Sequence, residues 1–154
     1  MTEERNMAKK KVLFISWQGG MGHITRDLAI ADALHKQNPE IELCWLAHPL
    51  ATRLLKEAGE RLLPESNLSV DYNLAGKKAL TGFQLNLMKY VIHTWKAQKD
   101  NVKLFEEVVR KYTFDLIIGD EIYEITRALV LKKIQIENQM GMIHDFVGAE
   151  IMSS

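Results

Sequence analysis

The sequence predicts an α/β domain built on a Rossmann-like, doubly wound parallel sheet. Short apolar runs rich in β-formers alternate with stretches that have the apolar spacing of a helix. The first run, KVLFISW from Lys11 to Trp17, ends at glycines and has the continuous apolar character of a strand buried on both faces. Parallel strands joined by right-handed helical crossovers give an open sheet with helices on both sides.

The first half of the chain contains two strand–helix units. The stretch TRDLAIADALHKQ, residues 25–37, combines good helix formers with an apolar stripe, and Thr25 is placed to cap its N-terminus. Pro39 stops this helix, and IELCWLA, residues 41–47, follows as a second strand. The next stretch, PLATRLLKEAGE, predicts a second helix that ends near Gly59.

A long connection and a long helix follow. RLLPE predicts a short third strand, and residues 66–84 show no clean period, as expected for a long surface loop. From residue 83 to residue 112 the apolar side chains recur at helical spacing, which predicts one long or broken helix. Its stripe of Met88, Trp95 and Phe105 is expected to pack in the core, with a lipid groove as the alternative.

Two further strands complete the predicted sheet. FDLIIGD, residues 114–120, is a buried strand, EIYEITRALVLKK returns to a helical pattern, and MGMIHDF, residues 140–146, is a last strand. Residues 11–154 are therefore expected to form one domain, after a flexible leader of residues 1–10.

Composition excludes several classes of protein. The 154 residues are 47% hydrophobic, and Lys plus Arg equal Asp plus Glu at 20 each, so no net field attracts nucleic acid. The single cysteine, Cys44, excludes an internal disulfide and favours a cytoplasmic location. No stretch is long and apolar enough to span a bilayer, so we expect at most peripheral membrane contact.

The loop QGGMGHITR after the first strand is the candidate ligand site. In a doubly wound sheet, ligands bind outside the carboxyl ends of the strands, where the strand order reverses, and this rule brings His23 and Asp120 to one crevice. Gly19, Gly20 and Gly22 let backbone N–H groups approach a ligand, and the following helix start favours an anion such as a phosphate.

Two other nucleotide sites fit this loop less well. A P-loop requires Gly-Lys followed by Ser or Thr, and no lysine follows these glycines. The dinucleotide fingerprint G-x-G-x-x-G starts at Gly20 and Gly22 but has Thr25 in place of the third glycine. The second strand also ends in LAHP, without the acid that holds a ribose. A nicotinamide-dependent oxidoreductase domain is therefore a weaker alternative.

The segment GGMGHITR, together with the DLIIGD strand, resembles the N-terminal half of GT-B fold glycosyltransferases. The likeness is to UDP-glucuronosyltransferase-like proteins and to the N-acetylglucosamine transferase of peptidoglycan synthesis, and it extends from Lys11 to about Gly148. It implies transfer of a sugar from a nucleotide-diphosphate sugar, such as a UDP-sugar, to a hydroxyl acceptor that is a small molecule or lipid-linked. We expect this transfer to be inverting, with no metal or other cofactor.

The resemblance also implies roles for individual residues. Gly19, Gly20 and Gly22 would face the diphosphate, His23 would take the proton from the acceptor hydroxyl, and Asp120 would orient the imidazole. The chain has the glycine-rich loop rather than the proline-flanked Gly-His of plant enzymes. Two alternatives therefore stay open: His23 lines the diphosphate loop or only bonds at the helix start, and Asp120 is an ordinary N-cap.

Three other polar residues belong to the same predicted edge. Arg26 is a candidate for neutralising a phosphate, and His144 is a candidate for bordering the acceptor site. His48, before Pro49, is expected to be a turn residue.

A GT-B enzyme has a second domain of this kind, which supplies most contacts to the nucleotide. By resemblance, the chain is expected to lack this donor domain and to be inactive unless a separate donor-domain polypeptide docks to it. The alternative is a non-catalytic subunit or truncated binding module of a split glycosyltransferase.

Overall fold

A computed structural model describes residues 9–17, 20–70, 77–81 and 84–144. Within these residues, strands alternate with helices as the sequence predicts. The strands are β1 (Lys11–Ser16), β2 (Glu42–Ala47), β3 (Arg61–Leu62), β4 (Leu80–Thr81), β5 (Gln84–Leu85), β6 (Leu116–Asp120) and β7 (Gln139–Ile143). The α-helices are α1 (Met21–Gln37), α2 (Pro49–Glu57), α3 (Leu87–Lys111) and α4 (Tyr123–Val130), and a 3-10 helix covers Pro64–Leu68.

The main sheet has five strands in the order β3-β2-β1-β6-β7, and every pair is parallel. The chain adds β2 and β3 on one side of β1 and then crosses back to add β6 and β7 on the other side. The strand order therefore reverses between β1 and β6, where Ser16 is the register partner of Asp120. The predicted doubly wound sheet and its switch point are confirmed.

Both faces of the sheet are covered. Leu13 and Ile15 of β1 pack in a cluster with apolar residues of α3 and α4, whereas Val12 and Phe14 pack with residues of α1 and α2. All four side chains are buried, which confirms that β1 is a two-sided core strand.

The start of α1 differs from the prediction. The helix begins at Met21 and not at Thr25, and Gly20 is its N-cap without a side-chain capping bond. Thr25 lies in the second turn, where its hydroxyl donates to the Met21 carbonyl at 2.8 Å. The predicted Thr25 cap is wrong because the helix starts one turn earlier, with Gly22 and His23 already in its first turn.

The connection before α3 is more ordered than predicted. Within the expected loop of residues 66–84, Ser66 to Leu68 belong to the 3-10 helix, and β4 begins an antiparallel hairpin with β5. Helix α3 is continuous, and Asn86 caps it by accepting a hydrogen bond from the Lys89 amide at 3.0 Å.

The core prediction for the α3 stripe holds only at one residue. Phe105 is fully buried, but Met88 is 71% exposed and Trp95 is 58% exposed. The prediction is wrong for these two residues because only the second half of α3 lies over the sheet: its five buried residues begin at Ala97.

Several predicted features lie outside the described residues: residues 1–8 of the leader, Gly19, and the last two positions of the predicted final strand. Among the helices that are described, none is both long and apolar enough to cross a membrane.

Candidate functional site

The carboxyl ends of β1 and β6 lie side by side and form the polar edge of the sheet. Ser16 ends β1 and Asp120 ends β6, and both side chains are fully buried. Helix α1 begins five residues after β1 ends, which places His23 in its first turn above this edge. The sequence therefore brings a buried carboxylate and a histidine together at the switch point.

His23 and Asp120 form a hydrogen-bonded pair. The His23 Nδ1 atom is 2.9 Å from Asp120 Oδ2, and the His23 side chain keeps 23% of its surface exposed. Asp120 does not cap the following helix, because the N-cap of α4 is Ile122 and it has no side-chain capping bond. Asp120 therefore contacts His23 and is not an N-cap residue.

Arg26 joins this pair one helical turn after His23. One of its terminal nitrogens donates to Asp120 Oδ1 and lies 3.1 Å from His23 Nδ1. An arginine side chain can only donate hydrogen bonds. A bond from Arg26 to His23 Nδ1 would therefore require an Nδ1 without a proton, and its lone pair would face the lone pairs of the Asp120 carboxylate. The consistent assignment has the Nδ1–H donating to Asp120 Oδ2, which leaves Nε2 without a proton in the neutral ring.

Glu121 is a site residue that the sequence reasoning missed. Its Oε2 atom is 3.9 Å from His23 Nε2, and its backbone φ of +48° is in the left-handed region that non-glycine residues rarely adopt. Burial raises the pKa of Tyr123, and the adjacent Glu121 carboxylate adds to this rise. The available signal was an acid directly after Asp120 at the strand end. Because Glu121 lies close to His23 Nε2, a proton held on that nitrogen would be near a second carboxylate.

A second buried carboxylate, Asp27, lies beneath the site and was also missed. Its Oδ2 atom accepts a 2.5 Å hydrogen bond from the Ser16 hydroxyl, and Oδ1 has no hydrogen-bond partner among the described residues. Burial, together with the nearby Asp120 charge, raises the pKa of Asp27 to about 6 despite the Ser16 bond. The signal was an acid on the buried stripe of α1, between Ile24 and Ala31.

The two described glycines of the loop differ in what they allow. A Cβ on Gly20 would be 3.1 Å from His23 Cδ2, so this glycine lets the imidazole lie close to the helix start. A Cβ on Gly22 would meet nothing within 4 Å, which leaves open space beside the first turn. The first turn of α1 contains no acidic residue. Its amide N–H groups lack partners inside the helix and carry the positive end of the helix dipole.

Gly119 holds the end of β6 in place. A Cβ at this position would be 2.1 Å from the Ile122 Cδ1 atom, and Ile122 is fully buried. The absence of a side chain at Gly119 therefore lets the chain turn directly after Asp120, with Ile122 folded back under the strand.

The other predicted edge residues, His144 and His48, contact other partners. His144 follows β7 on the same edge and is exposed, with its ring centroid 5.7 Å from that of Tyr123. His48 is buried and caps α2, where its Nδ1 accepts a bond from the Leu50 amide at 3.1 Å. His48, predicted to be a turn residue, is the N-cap of α2 in the structure.

The sheet order and its two helical layers define a Rossmann-like α/β domain of the kind found in glycosyltransferases. Among solved structures, the glycotransferase of kitacinnamycin is similar to this chain, with a TM-score of 0.55 and 14% identity. This match covers 86% of the chain described here and 29% of the glycotransferase chain. The predicted likeness to glycosyltransferases is confirmed at the level of the fold.

Two further solved structures match at lower similarity. The glycosyltransferase SnogD from Streptomyces nogalater has a TM-score of 0.49 and 21% identity, with 73% of this chain and 27% of SnogD covered. The C-terminal domain of PF1911 hydrogenase from Pyrococcus furiosus has a TM-score of 0.48 and 12% identity, with 87% and 91% covered. No protein-family model and no curated protein sequence matches the chain. By these coverages, the chain spans less than a third of the length of the two glycosyltransferases that it resembles.

Proposed function

We propose that this domain supplies the acceptor side of a glycosyltransferase, with His23 as the general base. The observation that carries the proposal is the 2.9 Å contact between His23 Nδ1 and the buried Asp120 carboxylate at the switch point of the sheet. The contact holds the ring so that Nε2 is the proton-accepting atom. A partly exposed imidazole with a buried carboxylate behind it is suited to taking a proton from a weak nucleophile such as a hydroxyl.

The proposed reaction balances without a further reactant. His23 Nε2 accepts the proton of the acceptor hydroxyl while the hydroxyl oxygen attacks the anomeric carbon of the sugar. The bond from that carbon to the diphosphate breaks, and its electron pair leaves with the nucleoside diphosphate. The configuration inverts because the oxygen attacks opposite the leaving group. The resulting imidazolium lies between Asp120 and Glu121, whose carboxylates stabilise its charge.

The start of α1 is the proposed contact for the diphosphate. Three features support it: the first-turn amides lack helical partners, no acid lies in that turn, and the space beside Gly22 is open. Arg26 is held by Asp120, so its proposed effect on the phosphates is through charge near the helix start. His144, on the same edge, is proposed to border the acceptor.

The proposed donor is a nucleotide-diphosphate sugar such as a UDP-sugar, and the proposed acceptor is a hydroxyl compound. Transfer also needs a donor-binding domain, on the same polypeptide or on a separate one, because the loop contacts only part of a nucleotide sugar. We propose that no metal or other cofactor takes part, since an arginine and a helix N-terminus provide positive charge near the proposed phosphate position.

NMR titration of the labelled chain with UDP, inorganic pyrophosphate and uridine tests the donor contact. The proposal predicts weak, millimolar binding of UDP and pyrophosphate that shifts the amide resonances of Gly20, Gly22 and His23. Uridine has no phosphate and is the matched control, so it should leave these amides unchanged. Shifts that UDP and uridine produce equally, or that avoid the start of α1, would refute the diphosphate contact.

A further inference from the structure

The first half of α3 and the hairpin before it form an exposed apolar surface. Every residue from 85 to 92 is exposed, so the helix has no packed face over its first turn and a half. Large exposed apolar side chains are concentrated in this part of the chain: Leu80, Leu85, Leu87, Met88, Tyr90, Val91, Ile92 and Trp95. A contiguous patch of exposed apolar side chains of this kind marks an interaction surface.

The charged residues within positions 72–99, between Asp71 and Asp100, are all of one sign. Residues 72–99 contain five lysines and no aspartate or glutamate, although the whole chain has no net charge. All five lysines are exposed: Lys77, Lys78, Lys89, Lys96 and Lys99. The lysine concentration is therefore local and coincides with the apolar side chains. We call the described residues 77–81 and 84–99 the docking segment.

The docking segment has the chemistry of a surface that enters a lipid interface. Trp95 carries the Lys99 ammonium 3.5 Å from its ring centroid, so an aromatic ring and a cation lie together on an exposed face. Tryptophan, tyrosine and lysine side chains hold an apolar body in the acyl boundary and a polar end at the headgroups. Excess positive charge around an apolar face favours anionic lipid over a neutral surface.

The docking segment also extends from the edge that carries His23 and Asp120. Helix α3 has 25 residues and is about 37 Å long, whereas the five-residue strand β6 that follows spans about 17 Å. A crossover helix runs opposite to its strand, so the N-terminal end of α3 lies toward the carboxyl edge of the sheet. Because the buried residues of α3 begin at Ala97, the part that extends past the sheet is the docking segment.

We propose that the docking segment binds the surface of a bilayer containing anionic lipids. The apolar side chains enter the headgroup and acyl boundary, and the lysines contact anionic headgroups. The proposal of membrane binding rests only on the exposure and charge of the docking segment. One consequence rests on the proposed function: docking turns the edge with His23 toward the membrane, which suits an acceptor hydroxyl carried by a lipid.

Tryptophan fluorescence with lipid vesicles tests the proposal. Of the three tryptophans, Trp17 and Trp45 are buried and Trp95 is exposed, so a change in emission reports on the docking segment. Vesicles of phosphatidylcholine with phosphatidylglycerol should shift the emission to shorter wavelength and sediment with the protein. Vesicles of pure phosphatidylcholine should bind much more weakly. Trp95→Phe should bind the mixed vesicles and lose the spectral shift.

A charge variant and a matched control separate the docking segment from general attraction to lipid. Replacing Lys89, Lys96 and Lys99 together with glutamine should lower partitioning onto the mixed vesicles about a hundredfold, since each lysine near an anionic surface contributes about fivefold. The control replaces three exposed lysines elsewhere, Lys10, Lys56 and Lys133, with glutamine. It removes the same charge and should change partitioning by less than about fivefold in total.

An apolar variant completes the test. Val91→Ser with Ile92→Ser should weaken vesicle binding, whereas Val130→Ser with Leu131→Ser, at another exposed apolar site, should not. Absence of binding to mixed vesicles by the folded chain would overturn the proposal, as would equal losses in both lysine variants. A dimer that buries Trp95 and binds no vesicle would assign the surface to a second copy instead. Vesicle binding involves no sugar transfer, so its failure is distinct from failure of the proposed function.

Discussion

His23 Nδ1 and Asp120 Oδ2 are 2.9 Å apart, although 97 residues separate them in the chain. The parallel pairing of β1 with β6 creates this proximity, because Ser16 and Asp120 end their strands in register and α1 starts just beyond. Arg26 holds the second oxygen of the same carboxylate. The carboxylate is thereby fixed on both sides, and the imidazole is oriented with Nε2 away from it.

Replacing His23 with alanine is predicted to lower sugar transfer about 10²- to 10⁴-fold, the contribution of a positioned general base. The measurement is nucleoside diphosphate release by the domain combined with its donor-binding domain. Added imidazole should restore part of the lost rate in His23→Ala, because it replaces the base and not a structural contact.

His35→Ala is the matched control for that prediction. His35 lies on the same helix, is half-exposed and pairs with Glu60 at 3.3 Å, away from the site. Its loss should change transfer by less than about twofold, in line with a surface substitution. If both histidine variants transferred sugar at the parent rate, His23 would not be the base.

Gly119→Ala is predicted to destabilise the fold by about 1–3 kcal/mol, because the added Cβ would overlap Ile122 in a packed core. Gly141→Ala, in the neighbouring strand β7, adds its Cβ to open space and should be neutral or stabilising by about 0.5–1 kcal/mol. Urea unfolding of the two variants measures the difference. Equal stability changes would show that Ile122 does not require a glycine at position 119.

Asp27→Asn is predicted to change how stability depends on pH. The pKa of Asp27 is raised from 3.8 to about 6 in the folded chain, so the native state holds the proton more tightly than the unfolded state. The carboxyl group therefore favours folding most at low pH, and this contribution is lost as the pH rises from about 4 to about 6. The loss amounts to about 3 kcal/mol at neutral pH.

Comparison of the free energy of unfolding at pH 4 and pH 7.5 tests this. The stability of Asp27→Asn relative to the parent should increase between these values by up to about 3 kcal/mol, since asparagine carries no proton to lose. Any constant cost of the buried amide cancels in this difference. A relative stability that is the same at both pH values would contradict the raised pKa.

Gly22→Ala separates the stability of the helix from its proposed contact with the diphosphate. Alanine should stabilise α1 by about 0.5–1 kcal/mol, because its Cβ meets nothing within 4 Å and a helical glycine is costly. The same Cβ occupies the space where the phosphates are proposed to approach. Thermal unfolding should therefore show an unchanged or higher Tm while NMR titration shows weaker UDP binding. If Gly22→Ala bound UDP as well as the parent, the diphosphate would bind at another place.

Much of the fold could be predicted because its signals are local. Each core strand is a short apolar run, and right-handed crossovers leave few possible strand orders. The start of α1 was misplaced because glycines at positions 20 and 22 indicate a turn, although the helix continues through the second of them. Periodicity also placed Met88 and Trp95 in the core. A helical spacing shows which residues share a face but not whether the sheet reaches far enough to cover them.

The site could be predicted only in part. The edge rule located His23 and Asp120 because it depends on topology alone. The roles of Asp27 and Glu121 depend on distances between elements that no local pattern encodes. Asp27 on α1 accepts a hydrogen bond from Ser16 on β1, and Glu121, which has a left-handed backbone conformation, lies 3.9 Å from His23 Nε2.

The protonation of the His23 ring tests the central claim most directly. Long-range proton–nitrogen NMR of the neutral imidazole distinguishes a proton on Nδ1 from one on Nε2. The account predicts the proton on Nδ1, hydrogen-bonded to Asp120, and a bare Nε2 that can accept a hydroxyl proton. A His23 ring with its proton on Nε2 would contradict the account, because that nitrogen could then no longer act as the base.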